Sequence, residues 1–241
     1  MAGTPVNRPT VVLLPGLLCD EAAWAGAGRS LADAECIVPD YGELDSIPAM
    51  AGYVLDLVQQ DRLCVAGHSM GGRVALEMAR LAPERIDRLA LLDTGFQPRA
   101  DGAAGEAEAQ ERGALVRLAQ ERGMRAMGRT WARGMVHPAH VDAPVFDAIL
   151  AMIERCTPEV FAAQVRALLA RPDQRDVLLA LRCPVVFACG REDAWSPLAR
   201  HRAMHALVPQ SELAVIEDAG HMAPMEQSLA VAGVLRHWVY G

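Results

Sequence analysis

Residues 62–79 of this 241-residue chain read RLCVAGHSMGGRVALEMA. The apolar run that opens this segment is typical of a buried strand, and the run from Gly72 onward is typical of a helix. Between them lies Gly67-His68-Ser69-Met70-Gly71, a G-x-S-x-G pattern. A strand, a tight turn and a helix in this order indicate a nucleophile elbow, which exposes the serine hydroxyl at the edge of a sheet. The two outer glycines leave room for the sharp turn.

A nucleophilic serine needs a general base, and the base needs an acid that orients it. Asp193 and His221 each follow an apolar run that is typical of a buried strand. Because the carboxyl ends of parallel strands meet at one edge of a sheet, we expect both side chains to lie close to Ser69. Asp93 ends another apolar run and is the alternative acid.

Apolar runs and helical patterns alternate along most of the chain. The six predicted strands are Thr10–Leu14 and residues 36–38, 63–66, 89–92, 184–189 and 213–216. The predicted core helices include one that begins near Glu21, with Asp20 as its N-cap, and others at residues 47–59 and 225–238. This alternation predicts an α/β fold in which a six-stranded, all-parallel sheet is flanked by helices.

Residues 97–171 interrupt the alternation, because they contain helical patterns and no strand pattern. We predict helices at residues 114–135, 144–156 and 158–170. Residues 98–110, rich in Gly, Ala and Glu, are predicted to be an irregular, mobile segment. The sequence therefore divides into a core, residues 1–96 and 172–241, and a helical insertion, residues 97–171.

Composition and charge exclude several classes of function. The net charge of -7 and the pI of about 5.5 argue against nucleic acid and against an anionic membrane as partners. No apolar run approaches the roughly 20 residues of a membrane span. The short polar segment before the first strand predicts that there is no signal peptide, so we expect a cytoplasmic protein.

The residue types present also limit the chemistry. The chain contains no lysine, which excludes Schiff-base and Ser–Lys mechanisms. His201 and His205 stand four residues apart on a predicted helix but lack an acidic third ligand in a suitable pattern. The sequence therefore predicts no metal site and no cofactor.

From residue 11 to residue 239 the chain resembles the α/β-hydrolase family. The shared pieces are Leu13-Leu14-Pro15-Gly16-Leu17, residues 67–72, residues 190–193, and Gly220-His221 with residues 224–226. The resemblance implies that Ser69 is the nucleophile, His221 the general base and Asp193 the orienting acid.

The same resemblance implies an oxyanion hole formed by the backbone N–H groups of Met70 and Leu17. Many relatives carry a histidine where this chain has Pro15. Proline removes one backbone donor, but the N–H of Leu17 remains. The helical insertion matches in position the cap that lies over the serine in this family and decides which substrates enter.

The predicted helix at residues 114–135 carries two features that bear on substrate binding. Four apolar side chains recur at helical spacing: Met124, Met127, Trp131 and Met135. They either form the core of the cap or line an acyl pocket. Three basic side chains recur on another face: Arg125, Arg129 and Arg133. They are either solvated or bind a carboxylate or an acidic carrier protein.

Taken with the resemblance, these features favour a carboxylic-ester hydrolase that acts on a small or medium acyl ester through an acyl-enzyme. Two alternatives remain open. The segment Ser69-Met70-Gly71-Gly72-Arg73 also resembles menaquinone-pathway lyases and ring-cleavage-product hydrolases, which act on carbon–carbon bonds. A non-catalytic ligand-binding relative is the third hypothesis.

Overall fold

Six parallel strands form one sheet in the computed structural model, which describes residues 8–241. The strands are β1 Thr10–Leu14, β2 Glu35–Ile37, β3 Leu63–His68, β4 Ile86–Leu92, β5 Val185–Gly190 and β6 Glu212–Ile216. Their order across the sheet is β2-β1-β3-β4-β5-β6. The predicted six-stranded parallel sheet is thus confirmed. The prediction that no signal peptide is present falls on residues 1–7, which lie outside the described residues.

The strand order indicates where a ligand site is expected in this sheet. The chain runs outward from β1 to β2 and then returns to the other side of β1, where β3 pairs with it. In sheets of this type the crevice at the carboxyl ends of the strands on either side of such a reversal is the usual ligand site. Leu14, the last residue of β1, pairs with Gly67 of β3, so the loops that follow both strands open into that crevice.

Eleven α-helices surround the sheet within the described residues. They are α1 Glu21–Ser30, α2 Ile47–Leu57, α3 Met70–Leu81, α4 Gly102–Arg122, α5 Met124–Trp131, α6 Pro144–Glu154, α7 Pro158–Leu169, α8 Arg175–Ala180, α9 Leu198–Leu207, α10 Ala223–Glu226 and α11 Ser228–Tyr240. Helix α1 packs against α11, and α3 packs against α2 and α8. Within residues 8–241, no helix has both the length and the apolar composition that a membrane span requires.

Local chemistry explains several helix starts. The Asp20 carboxylate accepts a hydrogen bond of 2.8 Å from the N–H of Ala22, so it caps α1 as predicted. Ser46 caps α2 and Thr157 caps α7 in the same way, each followed within two residues by a proline in the first turn. These side chains satisfy N–H groups that a helix leaves without an internal partner.

The structure corrects two predictions for residues 97–171, which are called the helical segment below. Residues 98–110 do not form an irregular segment, since most of them belong to the long helix α4. The predicted helix at 114–135 is instead two helices, because Gly123 adopts a φ of 83° and ends α4. Only Gly105 and Ala119 of α4 are buried, so this helix carries no apolar stripe that a sequence pattern could reveal.

The turn between β3 and α3 is the tightest point of the fold. Ser69 adopts a φ of 54°, a conformation that side chains rarely accept. A Cβ atom on Gly71 would lie 2.2 Å from the carbonyl oxygen of Leu14, and one on Gly67 would lie 2.3 Å from the carbonyl oxygen of Gly71. Backbone therefore packs directly on backbone here, and only glycine fits at both positions.

We expect Gly71→Ala to destabilise the protein by at least about 2 kcal/mol, because the added methyl group meets backbone atoms that cannot move independently. Gly52→Ala in α2 is the matched control, since a Cβ atom there meets nothing within 4 Å. That control should gain about 0.5–1 kcal/mol from the higher helix propensity of alanine. Urea denaturation measures both changes. Equal stabilities for the two variants would contradict the close packing at Gly71.

Candidate active site

The structure brings the three predicted side chains into one hydrogen-bonded chain. Ser69, between β3 and α3, places its Oγ atom 2.8 Å from Nε2 of His221. Nδ1 of the same imidazole lies 2.9 Å from Oδ2 of Asp193. When Nδ1 carries the proton and donates it to the carboxylate, Nε2 is free to accept the hydrogen bond from the serine hydroxyl. The arrangement has the geometry of a nucleophile, a base and an orienting acid.

Asp193 is held as a buried carboxylate. Its other oxygen, Oδ1, accepts hydrogen bonds of 2.8 Å from the backbone N–H groups of Trp195 and Ser196. Burial alone raises the pKa of Asp193, but the charge of His221 and these hydrogen bonds outweigh it and lower the pKa to about 2. The group is therefore ionised at neutral pH and fixes the orientation of the imidazole.

Within the described residues, the alternative acid, Asp93, makes no hydrogen bond to His221, whose Nδ1 is paired with Asp193. Its Oδ1 accepts a hydrogen bond of 2.8 Å from the N–H of Gly190, and its side chain is fully buried. Burial, and then the neighbouring charge of Asp193, raises the pKa of Asp93 well above its ordinary value. The pKa values of the two acids are thus shifted in opposite directions, because one ionised carboxylate disfavours a second beside it.

His68, which precedes Ser69 in the turn, lies beside His221. Its Nε2 donates a hydrogen bond of 2.7 Å to the backbone carbonyl of His221, and the two rings are 5.3 Å apart. Burial, and then the charge of His221, lowers the pKa of His68 to about 3. His68 is therefore neutral at neutral pH and supports the backbone of the loop that carries His221.

The two predicted oxyanion-hole donors belong to residues that lie next to Ser69. Met70 is the first residue of α3, and Leu17 lies in the loop after β1 and lines a small cavity with Ser69 and His221. Among residues 8–241, neither N–H donates a hydrogen bond to another protein group. The next residue, Leu18, has a φ of 59°, and its N–H is held at 3.0 Å by Oε1 of Gln164. The sequence did not indicate this hydrogen bond between the loop and Gln164.

The His221 loop is tied to the helical segment by backbone hydrogen bonds. The N–H of His221 donates to the carbonyl oxygen of Met135 at 2.5 Å. The buried carboxylate of Glu226 accepts hydrogen bonds from the N–H groups of Gly220 and His137, at 3.0 and 2.6 Å. It also lies 2.8 Å from Nδ1 of His140. Glu226 therefore joins the two segments, a role that the sequence did not reveal.

A cavity of about 430 Å³ opens beside Ser69 and His221, and a second of about 40 Å³ adjoins it. Trp131 of α5 lines both, with its ring centre 5.2 Å from that of Trp195. Met124 and Met127, predicted as substrate contacts, line neither cavity. Both are buried instead, because α5 packs that face against α6.

The arginine row of the predicted helix also lies away from the serine. Arg125 is paired with Glu154 at 2.9 Å and with Asp147 at 3.3 Å. Arg129 and Arg133 are exposed, and no member of the row lines the cavities beside Ser69. Their positions are those of a solvated surface.

We expect the Asp93→Asn variant to gain stability over the parent as the pH rises from 5 to 8. In the parent, unfolded Asp93 loses its proton above about pH 4, whereas the folded state keeps it, so rising pH favours unfolding. Asparagine cannot ionise and still accepts the hydrogen bond from Gly190. The difference should grow by about 1 kcal/mol per pH unit while native Asp93 stays protonated. Urea denaturation at several pH values measures it, and a pH-independent difference would show that native Asp93 is ionised.

Known proteins resemble this chain over most of its length. The profile of the alpha/beta hydrolase family matches residues 11–234. A curated relative, the pimeloyl-[acyl-carrier protein] methyl ester esterase of Aromatoleum aromaticum, is 30% identical over 233 residues, which cover 90% of this chain and 92% of the relative.

Solved structures give the same result. A malate-bound thermophilic esterase from Thermogutta terrifontis matches with a TM-score of 0.85 and 31% identity, over 96% of this chain and 89% of that chain. MenH from S. aureus matches with a TM-score of 0.82 over 98% of this chain and 95% of that chain, but its 19% identity shows a likeness of fold alone. The family profile spans nearly the whole sheet and the loops that carry Ser69 and His221, and the chain belongs to the alpha/beta hydrolase family.

Proposed function

We propose that this protein is a serine carboxylesterase that hydrolyses small or medium acyl esters through an acyl-enzyme. The observation that carries the proposal is the unbroken hydrogen-bonded chain from Ser69 through His221 to Asp193, at the edge of an open cavity. The esterases among the relatives at 30% and 31% identity support the same class of reaction.

In the first step, Ser69 Oγ attacks the acyl carbonyl while Nε2 of His221 takes its proton. The carboxylate of Asp193 is ionised and buried, so it stabilises the imidazolium that forms without accepting its proton. The imidazolium then protonates the departing alcohol. Water attacks the acyl-enzyme with His221 again as the base, and the acid product leaves.

The N–H groups of Met70 and Leu17 are the proposed donors to the tetrahedral oxyanion. Both are free of protein partners within the described residues, and they lie on two separate elements next to Ser69. Met70 also begins α3, whose positive end favours a negative charge at that point. Donors fixed in advance in this way contribute several kcal/mol to such reactions.

The helical segment, residues 97–171, acts in this proposal as a cap on the core formed by residues 1–96 and 172–241. Trp131 and Leu168 of the segment line the cavity with Ser69, so the segment limits the size of the acyl group. A volume of about 430 Å³ suits a small molecule. A small ester is preferred to a carrier-linked one, because Arg125 of the arginine row is already paired with two acidic side chains.

Substrate tests separate this proposal from its alternatives. Labelling of Ser69 by an organophosphate probe distinguishes an enzyme from a non-catalytic relative. Turnover of simple acyl esters at a rate well above that of ring-cleavage products distinguishes an esterase from a carbon–carbon hydrolase or lyase. Faster turnover of the carbon–carbon substrates would replace the proposed function with the alternative.

We expect Ser69→Ala to lower kcat for a p-nitrophenyl ester by roughly 10⁴-fold or more while the protein stays folded. The physical reason is the loss of the nucleophile from an otherwise intact site. Circular dichroism checks the fold, and the steady-state rate gives the loss. Turnover within tenfold of the parent in a folded Ser69→Ala preparation would refute the assignment of the nucleophile.

We expect Asp193→Asn to lower kcat by about 10⁴-fold, because an amide cannot hold the imidazole in the tautomer that accepts the serine proton. Asp93→Asn is the matched control, since it makes the same chemical change at the neighbouring buried acid. It should cost less than tenfold. The reverse ranking in steady-state kinetics would move the orienting role to Asp93.

A further inference from the structure

The cavity beside Ser69 is lined by an unusual number of cations. Four arginines and two glutamates line it: Arg73, Arg112, Arg171, Arg200, Glu108 and Glu111. This leaves an excess of two positive charges in one cavity of a chain whose net charge is -7. None of these arginines belongs to the row on α5 and the turn that follows it, which the sequence singled out. A local field of this sign favours an anionic ligand.

Glu108 neutralises only part of this charge. Its two oxygens accept hydrogen bonds of 2.7 and 2.8 Å from Arg171, and one of them also accepts a bond of 2.9 Å from Arg112. Burial raises the pKa of Glu108, but these bonds and charges lower it to about 2, so the carboxylate is ionised and already shared. Within the described residues, the buried Nε of Arg171 still has no hydrogen-bond partner.

Arg73 is a buried cation without a carboxylate partner in the described part of the chain. It lies four residues after Ser69, one helical turn along α3, so it faces the same side of the helix. Its guanidinium Nη1 donates to the carbonyl oxygen of Gln97 at 2.9 Å, and the residue is only 8% exposed. Burial, and then the charges of Arg171 and Arg200, lowers its pKa to about 9, which still leaves it protonated at neutral pH.

Arg200 supplies the second cation that lacks an ion pair among residues 8–241. Its Nη1 donates to the carbonyl oxygen of Trp195 at 3.1 Å and lies 3.4 Å from Oγ of Ser196. It extends from α9 into the cavity that Ser69 and His221 line. Both of its hydrogen-bond partners are neutral, and no carboxylate of residues 8–241 forms an ion pair with it.

We propose that Arg73 and Arg200 bind a carboxylate group of the substrate, so that the preferred ester carries a free carboxylate in its acyl or its alcohol part. This inference rests on the proposed esterase function and names its substrate class. The buried charge of Arg73 has no counterion, which is costly, and a bound carboxylate relieves that cost and also pairs with the charge of Arg200. Guanidinium groups match the planar geometry of a carboxylate. Trp131, Trp195 and Leu168 provide apolar contacts for the carbon chain between the two groups.

The test compares esters that differ only in the charge of the second group. The panel contains monomethyl esters of succinic, glutaric and adipic acids and acetate esters of glycolic and 3-hydroxypropionic acids. Each is paired with the analogue in which a carboxamide replaces the free carboxylate. We expect the parent to prefer at least one carboxylate over its carboxamide by about 10- to 100-fold in kcat/KM, since a charge-assisted hydrogen bond is lost in the amide.

Arg200→Gln and Arg73→Gln should remove that preference, so that each carboxylate and its carboxamide have kcat/KM values within about threefold of each other. Arg202→Gln is the matched control, because Arg202 is an exposed residue of α9 that does not line the cavity. It removes the same charge and should keep the preference. Thermal unfolding checks both cavity variants, and Arg200, which is partly exposed, gives the result if buried Arg73 cannot be replaced. Equal rates on carboxylates and carboxamides in the parent would overturn the proposal.

A binding experiment separates this proposal from the esterase proposal. Succinate, glutarate, adipate and inorganic phosphate are titrated into Ser69→Ala protein, with fluorescence from the cavity residues Trp131 and Trp195 as the signal. We expect saturable binding of a dicarboxylate that weakens at least tenfold with Arg200→Gln added and is unchanged with Arg202→Gln added. If Ser69→Ala protein binds a dicarboxylate but the parent turns over no ester, the esterase proposal is refuted and the anion site remains. Tighter binding of phosphate, or no difference between the two added substitutions, would overturn the carboxylate site.

Discussion

The direct contact of backbone on backbone at the end of β1 and the start of α3 is the constraint on which the rest of this site depends. Two hydrogen bonds hold Ser69 in its strained conformation. Its N–H donates to the carbonyl oxygen of Leu92, and its own carbonyl oxygen accepts a hydrogen bond from Oγ1 of Thr94. Both partners belong to β4 or to the turn after it. The neighbouring strand thus fixes the hydroxyl at the edge of the sheet. The backbone strain at Ser69 persists because the contacts of the surrounding sheet stabilise it.

The environment, and not the residue type, sets the charge of each ionisable group near the serine. Asp93 and Asp193 are both buried, yet only Asp193 has the imidazole and two N–H groups that stabilise a negative charge. His68 is buried beside another imidazole and donates to a carbonyl group, and its pKa is lowered to about 3. Pairs of like groups pushed into opposite states are typical of sites that move protons.

The sequence predicted the sheet and the chain of Ser69, His221 and Asp193 because strand periodicity and the G-x-S-x-G turn are local patterns. It did not predict that helix α4 begins as early as Gly102, since a helix with almost no buried face leaves little periodic signal. The arginines of the cavity were missed for a different reason: they come from four elements or loops that only the folded chain brings together. Only Arg73 could have been placed near the serine from the sequence, because it follows Ser69 by four residues, or about one helical turn.

The hydrogen bond from the His221 N–H to the Met135 carbonyl ties the His221 loop to part of the helical segment. Glu226 reinforces it, because the same carboxylate holds residues of both. A hinge motion that lifted the turn around Met135 would therefore pull the imidazole away from the serine. In that open form the hydroxyl would be no more reactive than a free alcohol. Covering of a bound molecule and formation of the hydrogen bond between Ser69 and His221 would then be a single event.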